Sequence, residues 1–339
     1  MASIIGIAGT AKNTGKTTTL NALLKTSSGR GGAVGITGIG YDGEDIDNIT
    51  GLPKPRVIVH EGTIVSTSRH CIPAFGWTII EHTPYTSALG EIVIARCDKQ
   101  STVVIAGPKK RSDLLNVTRR MSEAGCDTIF VDGALNRIVP MSIVNRIIFT
   151  TGAARNTNIA SLINETAAIE HIFRFPEHSL PQQDVDSTAM IHSPEDVDAA
   201  IRNGLNHGLL RIPGLISRNA LSHLCKIISQ EKKRSVESIL FDDPVMLLLT
   251  DTPEKTMEQI DRLLAMKIKI LFGRSIALSA VTINPFYPEY NGMTYSTSYI
   301  DRITLHTEMK KILSAPVFDI VQNGADELWN LVTTKLSLS

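Results

Sequence analysis

No apolar run in this 339-residue sequence approaches the ~20 residues that a membrane-spanning helix needs. The longest, such as Val245 to Leu249, are bounded by acids. No basic-then-apolar leader opens the chain, because Met1 to Gly9 is short and runs straight into a glycine loop. Charge of one sign is missing too. The 34 Lys and Arg residues match 34 Asp and Glu, so the balance asks for neither nucleic acid nor an anionic membrane as partner. Cysteine is sparse: Cys71, Cys97, Cys126 and Cys225 form no CxxC pair and share no zinc-finger spacing with His. Repeats and low-complexity tracts are absent. These absences exclude a disulfide scaffold and a zinc module, and they lead to the expectation of a soluble, cytoplasmic protein with reduced thiols.

What is present is the pattern of an α/β protein long enough for two domains. Ser3 to Ala8 is a short apolar run ending in a glycine loop, which reads as a buried parallel strand. Thr17 to Lys25 reads as a helix with Leu20, Leu23 and Leu24 on one face. Ala33 to Thr37 is the next strand, so the three form a βαβ unit. Between this unit and the next helix the pattern turns antiparallel. Arg56 to His60 and Thr63 to Thr67 read as a hairpin across Glu61-Gly62, and Trp77 to Glu81 pairs with Glu91 to Ala95.

The α/β alternation then returns: strands at Thr102 to Ala106, Thr128 to Val131 and Arg146 to Thr150, and helices at Ser112 to Ala124 and Asn158 to Phe173. Pro176 to Gln183 is the best linker candidate. Past Leu209 the pattern predicts strands at Ser238 to Phe241, Val245 to Leu249, Ile268 to Phe272, Ile276 to Ile283 and Val317 to Val321. Helices are predicted at Asn219 to Gln230, Thr252 to Met266 and Tyr299 to Leu313.

The chemistry sits in "IIGIAGTAKNTGKTTTLNALL". A phosphate loop needs backbone N–H groups converging on the phosphates, a helix N-terminus aimed at them, and a Lys plus a Ser or Thr to reach phosphate and Mg²⁺. Gly9, Thr10, Asn13, Thr14, Gly15, Lys16, Thr17 and Thr18 make up the candidate cradle, with Lys16 as phosphate cation and Thr17 as Mg²⁺ ligand. Five residues separate Gly9 from Gly15, one more than usual. A carboxylate for the Mg²⁺ shell belongs at the end of a neighbouring parallel strand, and "TIFVDGA" puts Asp132 there. Asp42, in "GIGYDGEDID", is a second candidate for metal and catalysis; a solvated acidic loop is the other reading. Gly38 to Gly43 also matches G-x-G-x-x-G, but no helix pattern starts there, so a dinucleotide site is not expected. Lys109, Lys110 and Arg111 form a basic turn that can face an anion or solvent. Arg155 and Asn156 either contact the nucleotide or begin the next helix. His60, His70 and His82 have no metal spacing.

The loop, with Thr10 where a first glycine would stand, resembles that of dethiobiotin synthetases in the class that also holds MinD-like ATPases. Asp132-Gly133-Ala134 is similar to that family's Glu-Gly-Ala. The MinD-like signature lysine has no counterpart, since Ala11 stands at its place. The guanine-reading signature is not evident, which points to ATP. Further strings, "GITGIGYDGEDID", "PRVIVHEGTIVSTS", "FVDGALNR", "ALSAVTINPFYPEYNG" and "APVFDIV", resemble the KamB-type subunit of lysine 5,6-aminomutase reactivases.

The element pattern and the loop together lead to the expectation of a mostly parallel P-loop NTPase sheet over 1–175 with an antiparallel β insertion at about 54–98. A linker and short helix at 176–208 and a smaller C-terminal α/β domain at 209–339 complete the expectation. The resemblance implies ATP and Mg²⁺ as cofactors, and a nucleotide-driven conformational change acting with an ATPase subunit on an adenosylcobalamin-dependent aminomutase. An ATP-dependent ligase or kinase acting on a small carboxylate and a non-hydrolysing nucleotide sensor are the alternatives. The sequence leaves self-association open.

Overall fold

The computed structural model describes residues 2–41, 56–134, 139–178, 190–230 and 235–334. Two compact units result, Met1–Ile163 with Leu278–Ser339, and Asn164–Ala277. The first opens with β1 (Ser3–Gly9), α1 (Lys16–Ser27) and β2 (Ala33–Gly38), the expected strand–helix–strand. Then come β3 (Val57–Val59), β4 (Ile64–Ser68), β5 (Trp77–Ser87), β6 (Gly90–Cys97), β7 (Ser101–Val103), α2 (Arg111–Glu123), β8 (Cys126–Ala134), β9 (Arg146–Gly152) and the start of α3 (Ile159–Ile172), a helix that continues into the second unit. β1 lies between β8 and β9, parallel to both. β8 pairs in parallel with β2, and β2 with β4. Beyond β4 the sheet turns antiparallel through β6 and β5.

The hairpin expected across Glu61-Gly62 is not formed. The turn exists, with Gly62 at φ 85° and Thr63 N–H donating to His60 O, but its arms part. β3 pairs with β7 in a separate small sheet, while β4 enters the central one. All five residues of β4 are buried, so both its edges and both its faces need cover, and a two-stranded ribbon supplies neither. The antiparallel strands β5 and β6 thus extend the main sheet. The strand expected over Thr102 to Ala106 ends at Val103, and Ala106 makes only a single bridge to Tyr41.

The second unit contains β10 (Met190–Ile191), α4 (Pro194–Gly204), β11 (Leu205–Asn206), β12 (Leu209–Ile212), β13 (Leu215–Ile216), α5 (Arg218–Gln230), β14 (Ser238–Phe241), α6 (Pro244–Leu248), α7 (Pro253–Ala265) and β15 (Lys269–Phe272). Its sheet runs β11-β12-β14-β15, parallel except for the β11–β12 hairpin, whose turn residues His207 and Gly208 both take positive φ. Ser193 caps α4 in a reciprocal capping box with Asp196.

Val245 to Leu249, expected as a strand, is helical instead. Asp243 caps α6 by accepting from Met246 N at 3.1 Å, and Pro244 occupies the first helical position. All five α6 side chains are buried, so the run carries no period that separates helix from strand.

The chain then returns to the first unit with β16 (Ala277–Asn284), β17 (Phe286–Tyr290), β18 (Tyr295–Tyr299), α8 (Arg302–Ile312), β19 (Val317–Phe318), α9 (Ile320–Asn323) and α10 (Asp326–Thr333). The nine-stranded order is β19-β16-β9-β1-β8-β2-β4-β6-β5. This return corrects the expected boundaries at 175 and 209. The segment after Ala277 completes the first sheet, because the buried row Ala280 to Ile283 needs that sheet's cover.

Helices cover both faces. Ile5, Ile7, Phe130 and Ile148 share one core with Leu20, Leu23 and Leu24 of α1 and Leu328, Trp329 and Val332 of α10. Ile129, Ile92 and Ile94 pack on the other face with Val117 and Met121 of α2. Neighbours such as Ile129 and Phe130 point to opposite faces, as strand pleating requires. Arg146, buried at the start of β9, closes the end of α10 by donating to Leu331 O and Thr334 O at 2.8 and 2.5 Å. Among the described residues no helix is long and apolar enough to cross a membrane.

Candidate functional site

The loop between β1 and α1 has two residues of left-handed backbone. Asn13 takes φ 63° and Gly15 φ 100°, with Thr14 of ordinary sign between them. Alternation of left- and right-handed residues turns successive N–H groups toward one concave side. Gly15 stands at the helix N-cap in the left-handed region and provides no side-chain cap, and α1 has no acid in its first turn. The N–H groups of Lys16, Thr17 and Thr18 thus begin the helix uncapped, at the positive end of its dipole. Lys16 folds back over the strand end: an ideal Cβ on Gly9 would stand 2.9 Å from both Lys16 Cγ and Cδ, and 2.7 Å from Thr14 Oγ1. Only glycine at position 9 leaves room for that path. Lys16, Thr17 and Thr18 are half-buried, and Lys12 is exposed.

The extra residue of the loop is held by neighbouring strand ends. Thr10 N–H donates to Thr150 O at 3.0 Å, and its hydroxyl to Thr151 Oγ1 at 3.2 Å. Thr14 Oγ1 donates to Ala11 O at 3.0 Å and lies 3.1 Å from Thr150 Oγ1. Asn284, the last residue of β16, donates its amide to Asn13 O at 2.9 Å. One turn into α1, Thr19 Oγ1 and Thr282 Oγ1 are 3.0 Å apart. Thr10, Thr14 and Thr19 are buried. These bonds hold the loop in shape from β9 and β16. Thr150 and Asn284 were not legible as loop supports. The first shows only as a strand end, and the second lies far along the chain in a region read as another domain.

Asp132 falls near the end of β8, opposite Ile7 of β1 and Gly38 of β2. It is two residues beyond Phe130, so its side chain shares the sheet face that α1 covers, the face on which Lys16 and Thr17 begin. Its Oδ1 atom is buried. The structure therefore brings Gly9, Thr10, Asn13, Thr14, Gly15, Lys16, Thr17, Thr18 and Asp132 to the carboxyl ends of adjacent strands. Asp42 lies outside the described residues.

Gly38 and Gly40 of the G-x-G-x-x-G match serve packing. An ideal Cβ on Gly107 would fall 1.8 Å from Gly38 O, and Gly107 N–H donates to Gly40 O at 2.8 Å. The glycines let two backbone segments touch. Of the basic turn, Lys109 and Lys110 are exposed, while Arg111 Nε donates to Ser142 Oγ at 2.7 Å. Asn156 and Asn158 do the work of a helix start: Asn156 Oδ1 accepts from Asn158 N, and Asn158 Oδ1 from Ser161 N. Arg155 is exposed. His82 sits 2.9 Å from Glu91, and among the described residues no cluster of His, Cys, Asp and Glu has the makings of a metal cage. Cys97, Cys126 and Cys225 are buried and Cys71 is half-buried, all unbridged.

No family model, no curated protein and no solved structure matches the chain.

Proposed function

We propose that the first unit binds the phosphates of a Mg²⁺-nucleotide, ATP in preference to GTP, and that hydrolysis drives a conformational change on a partner protein. The observation that carries the reading is the path of Lys16 across Gly9, beneath a loop whose backbone alternates in hand at Asn13 and Gly15. A lysine stem turned back over the strand end, beside a helix start whose N–H groups are uncapped, supports a polyphosphate as the ligand.

The donor set also suits Mg²⁺. Thr17 offers a hydroxyl in the first helical turn and Asp132 a carboxylate on the same side of the sheet, both hard oxygen ligands. Mg²⁺ takes one or two such groups and completes its shell with phosphate and water, so it needs no all-protein cage. Held by Thr17 and Asp132, the ion would supply neutralisation of phosphate charge.

A route to a partner runs through Asn284. Its amide holds Asn13 O, its backbone carbonyl accepts from Ala153 N, and its Oδ1 accepts from Phe286 N, the first residue of β17. The β17–β18 hairpin presents Tyr290, Met293 and Tyr299 to solvent. A loop that shifts with the γ-phosphate would move this apolar surface. The resemblance to the KamB-type reactivase subunit makes an adenosylcobalamin-dependent aminomutase, with an ATPase subunit, the partner to test first.

Isothermal titration calorimetry with Mg²⁺-ATP on the parent and on Lys16→Ala tests the site. Loss of one charge-assisted contact should weaken binding by about tenfold to a hundredfold with the melting temperature unchanged. Equal affinity in the two proteins overturns the reading. Fast turnover on a small carboxylate without any protein partner overturns its second half.

A further inference from the structure

The β17–β18 ribbon stands outside the larger sheets, and among the described residues β18 pairs with β17 alone. Its hydrogen-bond pattern follows from its two ends. Ile300 N–H donates to Pro285 O at 3.0 Å, and Asn291 N–H to Thr294 O at 3.1 Å. Bonded and non-bonded positions alternate along an antiparallel pair, so Tyr287 with Ser298 and Glu289 with Ser296 are the bonded positions between those ends. Tyr295, Thr297 and Tyr299 therefore turn their N–H and carbonyl groups away from β17. No hydrogen bond among the described residues engages those groups.

The two outer edges of the ribbon differ. On β17 the outward positions are Phe286, Pro288 and Tyr290. Phe286 N–H is taken by Asn284 Oδ1 at 3.2 Å, and Pro288 has no N–H to offer. That edge is closed along most of its length. β18 carries no proline, no charge and no break in register. β5, the outer strand of the nine-stranded sheet, has all three: Pro84, the charges of Glu81 and its neighbour His82, and two register shifts. Such devices keep an edge from pairing with another chain, and β18 lacks them.

The open edge fits a second copy of itself. Tyr295-Ser296-Thr297-Ser298-Tyr299 reads the same in both directions. Two copies laid antiparallel about Thr297 bring every outward N–H of one opposite an outward carbonyl of the other, with Thr297 facing its own counterpart and Tyr295 facing Tyr299. Charge does not oppose the match, since Glu289 is the sole charged residue from Phe286 to Tyr299 and belongs to β17. The side chains favour it too. Phe286, Tyr290, Tyr295 and Tyr299 share one side of the ribbon, with ring centroids 5.9 Å apart for Phe286 and Tyr299 and 5.0 Å for Tyr290 and Tyr295. Tyr290 and Tyr299 are still 58% and 62% exposed. A two-stranded ribbon is marginal in water, whereas joining two of them makes a four-stranded sheet with one continuous aromatic face. We propose that β18 pairs with β18 of a second copy of this chain, antiparallel and centred on Thr297. The pairing does not rest on the nucleotide reading.

Sedimentation velocity on the full chain over a concentration series, without nucleotide, tests it. A dimer, alone or in equilibrium with monomer, is the expected result. Thr297→Lys sets two like charges face to face on the two-fold axis, and Thr297→Pro removes an outward N–H while sparing the bonds to β17. Each should raise the dimer dissociation constant about tenfold or more. Thr297→Cys reads the register. Under mild oxidation it should cross-link to its counterpart, whereas Ser296→Cys, whose counterpart lies on a longer diagonal, should not. A parent that stays monomeric throughout overturns the proposal, whether or not the edge takes up an extended peptide from another protein. So does a dimer that persists unweakened in both the Lys and Pro variants, or one in which Ser296→Cys cross-links as readily as Thr297→Cys.

Discussion

The side-chain amide of Asn284 donates a 2.9 Å hydrogen bond to the carbonyl of Asn13, joining residues 271 positions apart. Asn284 also approaches Gly15, with its Cβ 3.4 Å from where a Cβ on that glycine would stand. The loop between β1 and α1 is therefore buttressed by the strand that leads into the β17–β18 hairpin.

Asn284→Ala removes the bonds to Asn13 O and Phe286 N together. We expect a loss of about 1–3 kcal/mol in stability and a weaker hold on Mg²⁺-ATP, by about tenfold. Urea melts and calorimetry on the same preparation read both. Unchanged nucleotide affinity would detach the buttress from function.

Asp132→Asn keeps the shape of the side chain and removes its charge. Mg²⁺ should then add little to nucleotide affinity, while metal-free binding stays near the parent value, because the ion loses its carboxylate and the loop does not. Titrations with and without EDTA separate the two. A full Mg²⁺ increment in the variant would move the metal ligand elsewhere.

Gly107→Ala forces a methyl group against the carbonyl of Gly38, a backbone atom with no freedom to yield. A destabilisation above about 3 kcal/mol is expected. Gly29→Ala, where nothing stands within 4 Å of the new methyl, should change stability by no more than about 0.5 kcal/mol. Thermal melts of the pair test whether Gly107 is there to let its backbone touch that of Gly38.

Burial pushes the Cys126 thiol up to about 12 and that of Cys225 up to about 11, from an ordinary 9.0. The folded chain keeps protons that the unfolded chain loses above that ordinary value. Stability is full below it and falls as pH rises toward the folded values. Cys126→Ala should flatten part of that alkaline fall, at a cost of about 1 kcal/mol near neutrality for the lost sulfur. Denaturant melts from neutral pH to about pH 11 measure the slope; an equal slope in parent and variant would exclude Cys126 as its source.

The loop was legible because its signal is local: Gly15, Lys16 and Thr17 follow an apolar strand and open a helix. Asp132 was legible for the same reason, as an acid at a strand end. Thr150 and Asn284 were not, because their role comes from the strand order β16-β9-β1, which no local pattern encodes. The same holds for the first unit's reach past Ala277. Val245 to Leu249 misled because a run buried on every side has no period, although Asp243-Pro244 before it is a helix start. The β17–β18 hairpin went unread despite its Asn291-Gly292 turn.

The second unit is spliced into the chain ahead of β16, and this sets an order of events during synthesis. The loop emerges from the ribosome first, but Thr282 and Asn284, which brace it, emerge only after the whole of Asn164–Ala277. A nascent chain stopped before β16 would carry Lys16 and Thr17 on a loop braced from β9 alone, beside a β9 edge still lacking its neighbour. The fully braced form of this loop therefore arrives late in translation, and premature termination anywhere in the second unit leaves β9 as an exposed strand edge.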